Sequence, residues 1–142
     1  MVPEFWNRGT LVDPCVASPD AEYILDGEEF DWEWRLALVP VTAFGNQHLE
    51  QDKCRPGADA ERERERLAII RDWLIKSGEP TEAFKSSPLI GIWENDRLSL
   101  VDGWHRLKVA VEDFGNLEVW AIVAINPAWS AASHASPGAL LP

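Results

Sequence analysis

The chain reads as an α+β domain, a small mixed sheet with helices packed on it. Three observations carry that reading. Apolar residues alternate with period two in several short segments and recur at helical spacing in two longer ones. The order of these segments is strand, helix, hairpin, helix, strand, which places helices against a mixed sheet. At 142 residues with 46% hydrophobic content, the chain holds one domain large enough to bury a real core.

Residues 1–33 form an acidic N-terminal arm. Pro3, Pro14 and Pro19 break it, and Glu22, Asp26, Glu28, Glu29, Asp31 and Glu33 make it acidic. Two alternatives stand for it: an extension that wraps the domain through Phe5, Trp6, Tyr23, Ile24 and Leu25, or a solvated, poorly ordered one. The domain proper spans 34–125. Trp34 to Val41 reads as a strand, with Pro40 marking an edge position or the strand exit. Thr42 to Ala58 is loop-like. Asp59 is a plausible N-cap for a helix running to about Ser77, with Leu67, Ile70, Trp73 and Leu74 on one face, Gly78 as its stop and Pro80 beyond. The alternating charges of Glu61 to Arg66 read as a solvated helix face, or as an arginine patch for a partner. Ser87-Pro88 opens a strand over Leu89 to Trp93. Glu94-Asn95-Asp96 is turn chemistry, and Arg97 to Val101 returns as the second strand of a hairpin. Asp102 is expected to cap the next helix, whose buried stripe would be Trp104, Leu107, Val111 and Phe114, ending at Gly115. The last strand, Leu117 to Ile125, places Leu117, Val119, Ala121, Val123 and Ile125 on one face. Residues 126–142 are rich in Ala, Ser and Pro and read as a flexible tail.

Composition excludes several classes. No apolar run approaches the roughly 20 residues of a membrane span, and the start lacks the pattern of a signal peptide, so no membrane insertion and a cytoplasmic location are expected. A formal net charge of −11 repels nucleic acid and anionic membranes at long range. Cys15 and Cys54 have no metal or redox spacing and read as structural thiols. Eight tryptophans are too many for the core of so short a chain, so some are expected at a ligand pocket or a protein interface.

The chemistry concentrates in Leu98-Ser99-Leu100-Val101-Asp102-Gly103-Trp104-His105-Arg106-Leu107, where an alternating strand runs into a helix. A glycine there lets the backbone approach a ligand, and the first turn of a helix offers unpaired N–H groups and partial positive charge. His105 and Arg106 add donors at the same place. This is the makeup of a phosphate site, although it is neither a Walker loop nor a dinucleotide fingerprint. Each residue also has a plain structural reading. Asp102 caps the helix, Gly103 relieves a tight turn, His105 sits at the surface, and Arg106 pairs with the acidic arm. His48 and His134 have no ligand spacing. Glu50 and Asp52 precede the first helix and are placed nowhere by sequence.

Ser87-Pro88-Leu89-Ile90, the hairpin, and Leu100-Val101-Asp102-Gly103-Trp104-His105-Arg106 with Ala110 downstream together resemble the ParB/sulfiredoxin superfamily. The order of elements from about Trp34 to Ile125 is similar too. The resemblance implies a nucleotide site. Gly103, Trp104, His105 and Arg106 would contact the phosphates of ATP, ADP or CTP, with Asp102 as a supporting or Mg2+-linked carboxylate. Asp102, His105 and Arg106 would be the catalytic set. Sulfiredoxins carry a cysteine where this chain has Trp104, so their reaction is not implied. The partition proteins need a second arginine-bearing motif and a helix-turn-helix domain, and neither is found. Free serine kinases share an Asp-Gly-His-type turn, but no motif marks their catalytic glutamate here. The best fit is to compact plasmid or phage relatives with nuclease or ATPase activity, including fertility-inhibition and oncogenic-suppression proteins that block conjugative transfer. The expectation is therefore an ATP-type nucleotide-binding domain with phosphohydrolase and DNase activity, whose partners are DNA or a protein of a DNA-transfer machine. The alternative is a non-catalytic inhibitor that docks through the acidic arm and exposed tryptophans.

Overall fold

In the computed structural model, which describes residues 2–45 and 60–127, five strands form one mixed sheet. They are β1 (Thr10–Val12), β2 (Trp34–Pro40), β3 (Leu89–Glu94), β4 (Arg97–Asp102) and β5 (Glu118–Ile125), in the order β1-β2-β5-β3-β4. β5 lies in the middle, antiparallel to β2 and parallel to β3, while β3 and β4 form the expected hairpin. Asn95 and Asp96 at its tip both have positive φ (53° and 60°), as a two-residue turn between twisted strands requires. The α+β class read from the sequence is the one observed.

The central position of β5 corrects the expected one-faced alternation. Val119, Ala121 and Val123 enter one core, and Ile122 and Ala124 a second core on the opposite face. A strand covered on both sides needs no polar face. Leu117 lies outside the strand and is 81% exposed. Pro40 ends β2 at its pairing with Glu118, past the reach of β1, so it is both the strand exit and an edge position.

Helices cover the first face. They are α4 (Ala60–Ser77), α5 (Pro80–Ser86) and α6 (Trp104–Phe114), which follow three single-turn helices of the arm. Gly78 stops α4 at φ +72° as read. Pro80, however, does not merely lie beyond that stop: it opens α5, where a proline's missing N–H costs nothing. Phe84 of α5 is fully buried, edge-on to Trp73 at 5.4 Å. In α6 the fully buried residues are Leu107, Val109 and Ala110, and the expected Trp104, Val111 and Phe114 are only half-buried around them. Arg71 of α4 donates to Asp113 of α6 at 2.9 Å.

The arm is part of the fold. α1 (Glu4–Asn7) seats Trp6 in the first core, with the Arg35 guanidinium 4.5 Å over its ring. β1 pairs with β2. α2 (Pro14–Ala17) and α3 (Ala21–Ile24) then cross to the second face, where Ala21 and Leu25 bury against Trp34, Ile90, Ile92 and Ile122. The wrapping alternative is therefore the observed one, except that Tyr23 stays 85% exposed. No described helix is long and apolar enough to cross a membrane. The Asp59 cap, His48, Glu50, Asp52, Cys54, His134 and the tail from 128 onward lie outside the described residues.

Candidate functional site

The strand-to-helix turn forms as read, with one correction. Asp102 is the last residue of β4, and Gly103 takes the cap position of α6 at φ +111°, with no side-chain cap. Asp102 is still part of the strand there. Its Oδ2 accepts from Arg106 Nη2 at 3.1 Å instead. Gly103 has a steric reason as well as a conformational one. A Cβ at this position would lie 2.3 Å from Leu89 Cδ2.

Arg106 is turned into the protein. Its Nη1 donates to the Ser87 carbonyl at 2.6 Å, the Ser87 hydroxyl at 3.0 Å and the Pro88 carbonyl at 3.2 Å. Burial pulls its pKa below the usual arginine value, opposed chiefly by the Asp102 charge and then by Asp20 of the arm. The guanidinium thereby ties together the entry to β3, the end of β4 and the first turn of α6. The structural partner expected in the acidic arm is Asp102 and the Ser87-Pro88 backbone, with the arm acting only at range.

His105 points the other way, toward α4. Its Nε2 lies 2.6 Å from Oε2 of Glu63, and both side chains are largely buried, at 13% and 19% exposure. Beside His105 opens a cleft of about 370 Å³, to which Asp20, Arg66, Ile70 and Ser87 contribute alongside residues 102–106, while Glu63 meets it only through the His105 ring. The first intrahelical bond of α6 is Leu107 N–H to the Gly103 carbonyl, 2.9 Å. The N–H groups of Trp104, His105 and Arg106 thus have no intrahelical acceptor and mark the positive end of the helix. The cleft therefore combines backbone donors, an imidazole backed by a carboxylate and one exposed arginine. A larger cleft of about 460 Å³ beside Phe5, Leu38 and Trp120 has no comparable acid–base pair.

Gly103, Trp104, His105 and Arg106 are thus brought to one cleft, and Asp102 with them. The sequence reading missed Glu63, Arg66 and Asp20. Glu63 had a legible signal, because it lies four residues before Leu67 and seven before Ile70, on the apolar stripe of α4. No described group of three or more His, Cys, Asp or Glu could hold a metal ion. Magnesium needs only one or two carboxylates when it arrives with a phosphate. Asp102 keeps one oxygen outside its Arg106 pair and Asp20 lines the same cleft, so the residues fit Mg2+ in that form only.

Of the tryptophans expected at a ligand pocket or an interface, Trp104 lines this cleft; every described tryptophan is buried or half-buried, and Trp129 lies outside the described residues. Cys15 is exposed rather than structural, its thiol pushed above the ordinary 9.0 by partial desolvation and then by Asp13 and Glu22. Comparison with protein-family models, curated proteins and solved structures gives no match to this chain.

Proposed function

We propose that the cleft at the start of α6 binds a phosphate-bearing ligand of the nucleotide class, ATP, ADP or CTP with magnesium, and supports its slow hydrolysis. The observation that carries this reading is the His105–Glu63 pair, 2.6 Å apart and largely buried, beside an open helix N-terminus. The ParB/sulfiredoxin likeness of Ser87–Ile90 and Leu100–Arg106 supports it. Backbone N–H groups of the first turn receive the phosphate. His105 stabilises charge on the leaving phosphate or gives it a proton, and Glu63 fixes the ring's orientation and tautomer. Magnesium, when bound, supplies charge neutralisation at the phosphate oxygens next to Asp102. Arg106 holds the turn in shape. A DNA phosphodiester offers the same chemistry, but the net charge of −11 opposes its approach. Free nucleotide is therefore the favoured ligand.

The test is a thermal-shift panel of nucleotides followed by calorimetry. A ligand at 100-fold its dissociation constant should add about 2.7 kcal/mol of stability. Glu63→Gln should keep binding and lose turnover, whereas Arg106→Ala should lose stability and binding together. Calorimetric titrations with ATP, ADP and CTP that show no heat, with and without magnesium, overturn the reading.

A further inference from the structure

Charge accounting in the cleft singles out two further side chains. The Arg106 cation is matched by Asp102 at 3.1 Å, and His105 by Glu63 at 2.6 Å. Two charged residues of the same cleft, Arg66 and Asp20, make no side-chain hydrogen bond or ion pair among the described residues. Arg66 is exposed and lies three residues after Glu63 on α4, so it emerges beside the buried carboxylate. Asp20 precedes α3 at a position where an aspartate ordinarily caps the helix, yet it makes no cap bond. Its carboxylate acts on Arg106 only at range.

We infer that Arg66 and Asp20 are the ligand-reading pair of this cleft. Arg66 takes the terminal phosphate, in place of the inward-turned Arg106, and Asp20 accepts hydrogen bonds from the sugar hydroxyls. This rests on the nucleotide reading above and adds to it what each side of the ligand must carry. An arginine matches phosphate oxygens with paired donors. An acceptor-only carboxylate repels phosphate and selects hydroxyl donors, the chemistry by which acidic residues read a ribose. The ligand is therefore bipolar, and a bare phosphate chain satisfies only half of the site. The N-terminal arm, through Asp20, supplies the sugar side.

The experiment is isothermal calorimetry of the full chain with magnesium, using ATP, 2′,3′-dideoxy-ATP and pyrophosphate as probes. Arg66→Ala should weaken ATP and pyrophosphate alike by more than tenfold. Asp20→Asn should weaken ATP severalfold, leave pyrophosphate unchanged or tighter, and have no further effect on dideoxy-ATP. Both positions are exposed, so urea midpoints should match the parent's and loss of fold is checked directly. If the parent binds ATP and Arg66→Ala binds it equally well, the Arg66 assignment is overturned while the nucleotide reading stands. Equal loss of ATP and pyrophosphate in Asp20→Asn overturns the sugar assignment. A parent that binds none of the three probes overturns the nucleotide reading and this inference with it.

Discussion

At Gly103 two separate penalties meet in one atom. A side chain there would hold φ +111°, a region closed to L residues, and its Cβ would lie 2.3 Å from Leu89 Cδ2. Backbone strain of this kind costs about 1–3 kcal/mol and core overpacking about 1–3 kcal/mol more. Gly103→Ala should therefore lose about 2–6 kcal/mol in urea unfolding followed by tryptophan fluorescence. A loss below about 1 kcal/mol would show that β3 and the turn relax together and that the glycine is not sterically required. The same residues show what a sequence can reveal at this scale. Gly103, Trp104, His105 and Arg106 were legible because they are contiguous and sit where a strand changes into a helix. The direction each side chain takes was not. Arg106 turns inward because the carbonyls of Ser87 and Pro88 lie within 2.6 and 3.2 Å, a contact set by the packing of β3 against α6. Arg66 lay in a run of alternating charges that read first as a solvated face and only alternatively as an arginine patch, and Asp20, in a proline-broken arm, had no signal at all.

Among the elements, β2 to β5 and the two long helices followed from periodicity, whereas β1 and the single-turn helices of the arm were not read and α5 was invisible. It has seven residues, too few to show helical repetition, and it opens on a proline that also serves as punctuation after Gly78. Its importance lies in one side chain. Phe84 is fully buried, packs edge-on to Trp73 at 5.4 Å, and fastens α5 beneath α4 against β5. Truncating a buried phenylalanine costs about 3–5 kcal/mol. Phe84→Ala should lower the unfolding free energy in urea by that amount, with a correspondingly lower midpoint, and leave the amides of α4 the least protected against hydrogen exchange, since α4 would lose the partner of Trp73. An unchanged midpoint would mean that α5 is only a connector. The cap of α6 illustrates the same limit from the other side. Asp102 has the right residue type one position too early, and only the φ of Gly103 decides which of the two residues starts the helix.

For the molecule as a whole, the arm decides how its own function can be tested. A sheet with β5 at its centre has two faces, and helices α4–α6 cover only one. The other carries Trp34, Ile90, Ile92, Ile122 and Ala124, and it is residues of the arm, Ala21 and Leu25 foremost, that keep water from them. Removing residues 2–33 would expose that apolar face and open the backbone edge of β2. The truncated chain should then lose its cooperative thermal transition and bind a hydrophobic dye such as ANS. A truncated chain that still melts cooperatively near the parent's midpoint would show that the arm is an accessory. The deletion also removes Asp20, so any loss of partner inhibition or ligand binding it causes cannot be assigned to the acidic surface. Exposed charges separate the two effects. Glu22→Gln, Glu28→Gln and Asp31→Asn touch solvent-facing carboxylates, and such changes stay within about 0.5 kcal/mol. The triple variant should fold like the parent and bind nucleotide like the parent, while a partner recruited by the acidic surface should bind it more weakly and with a shallower salt dependence.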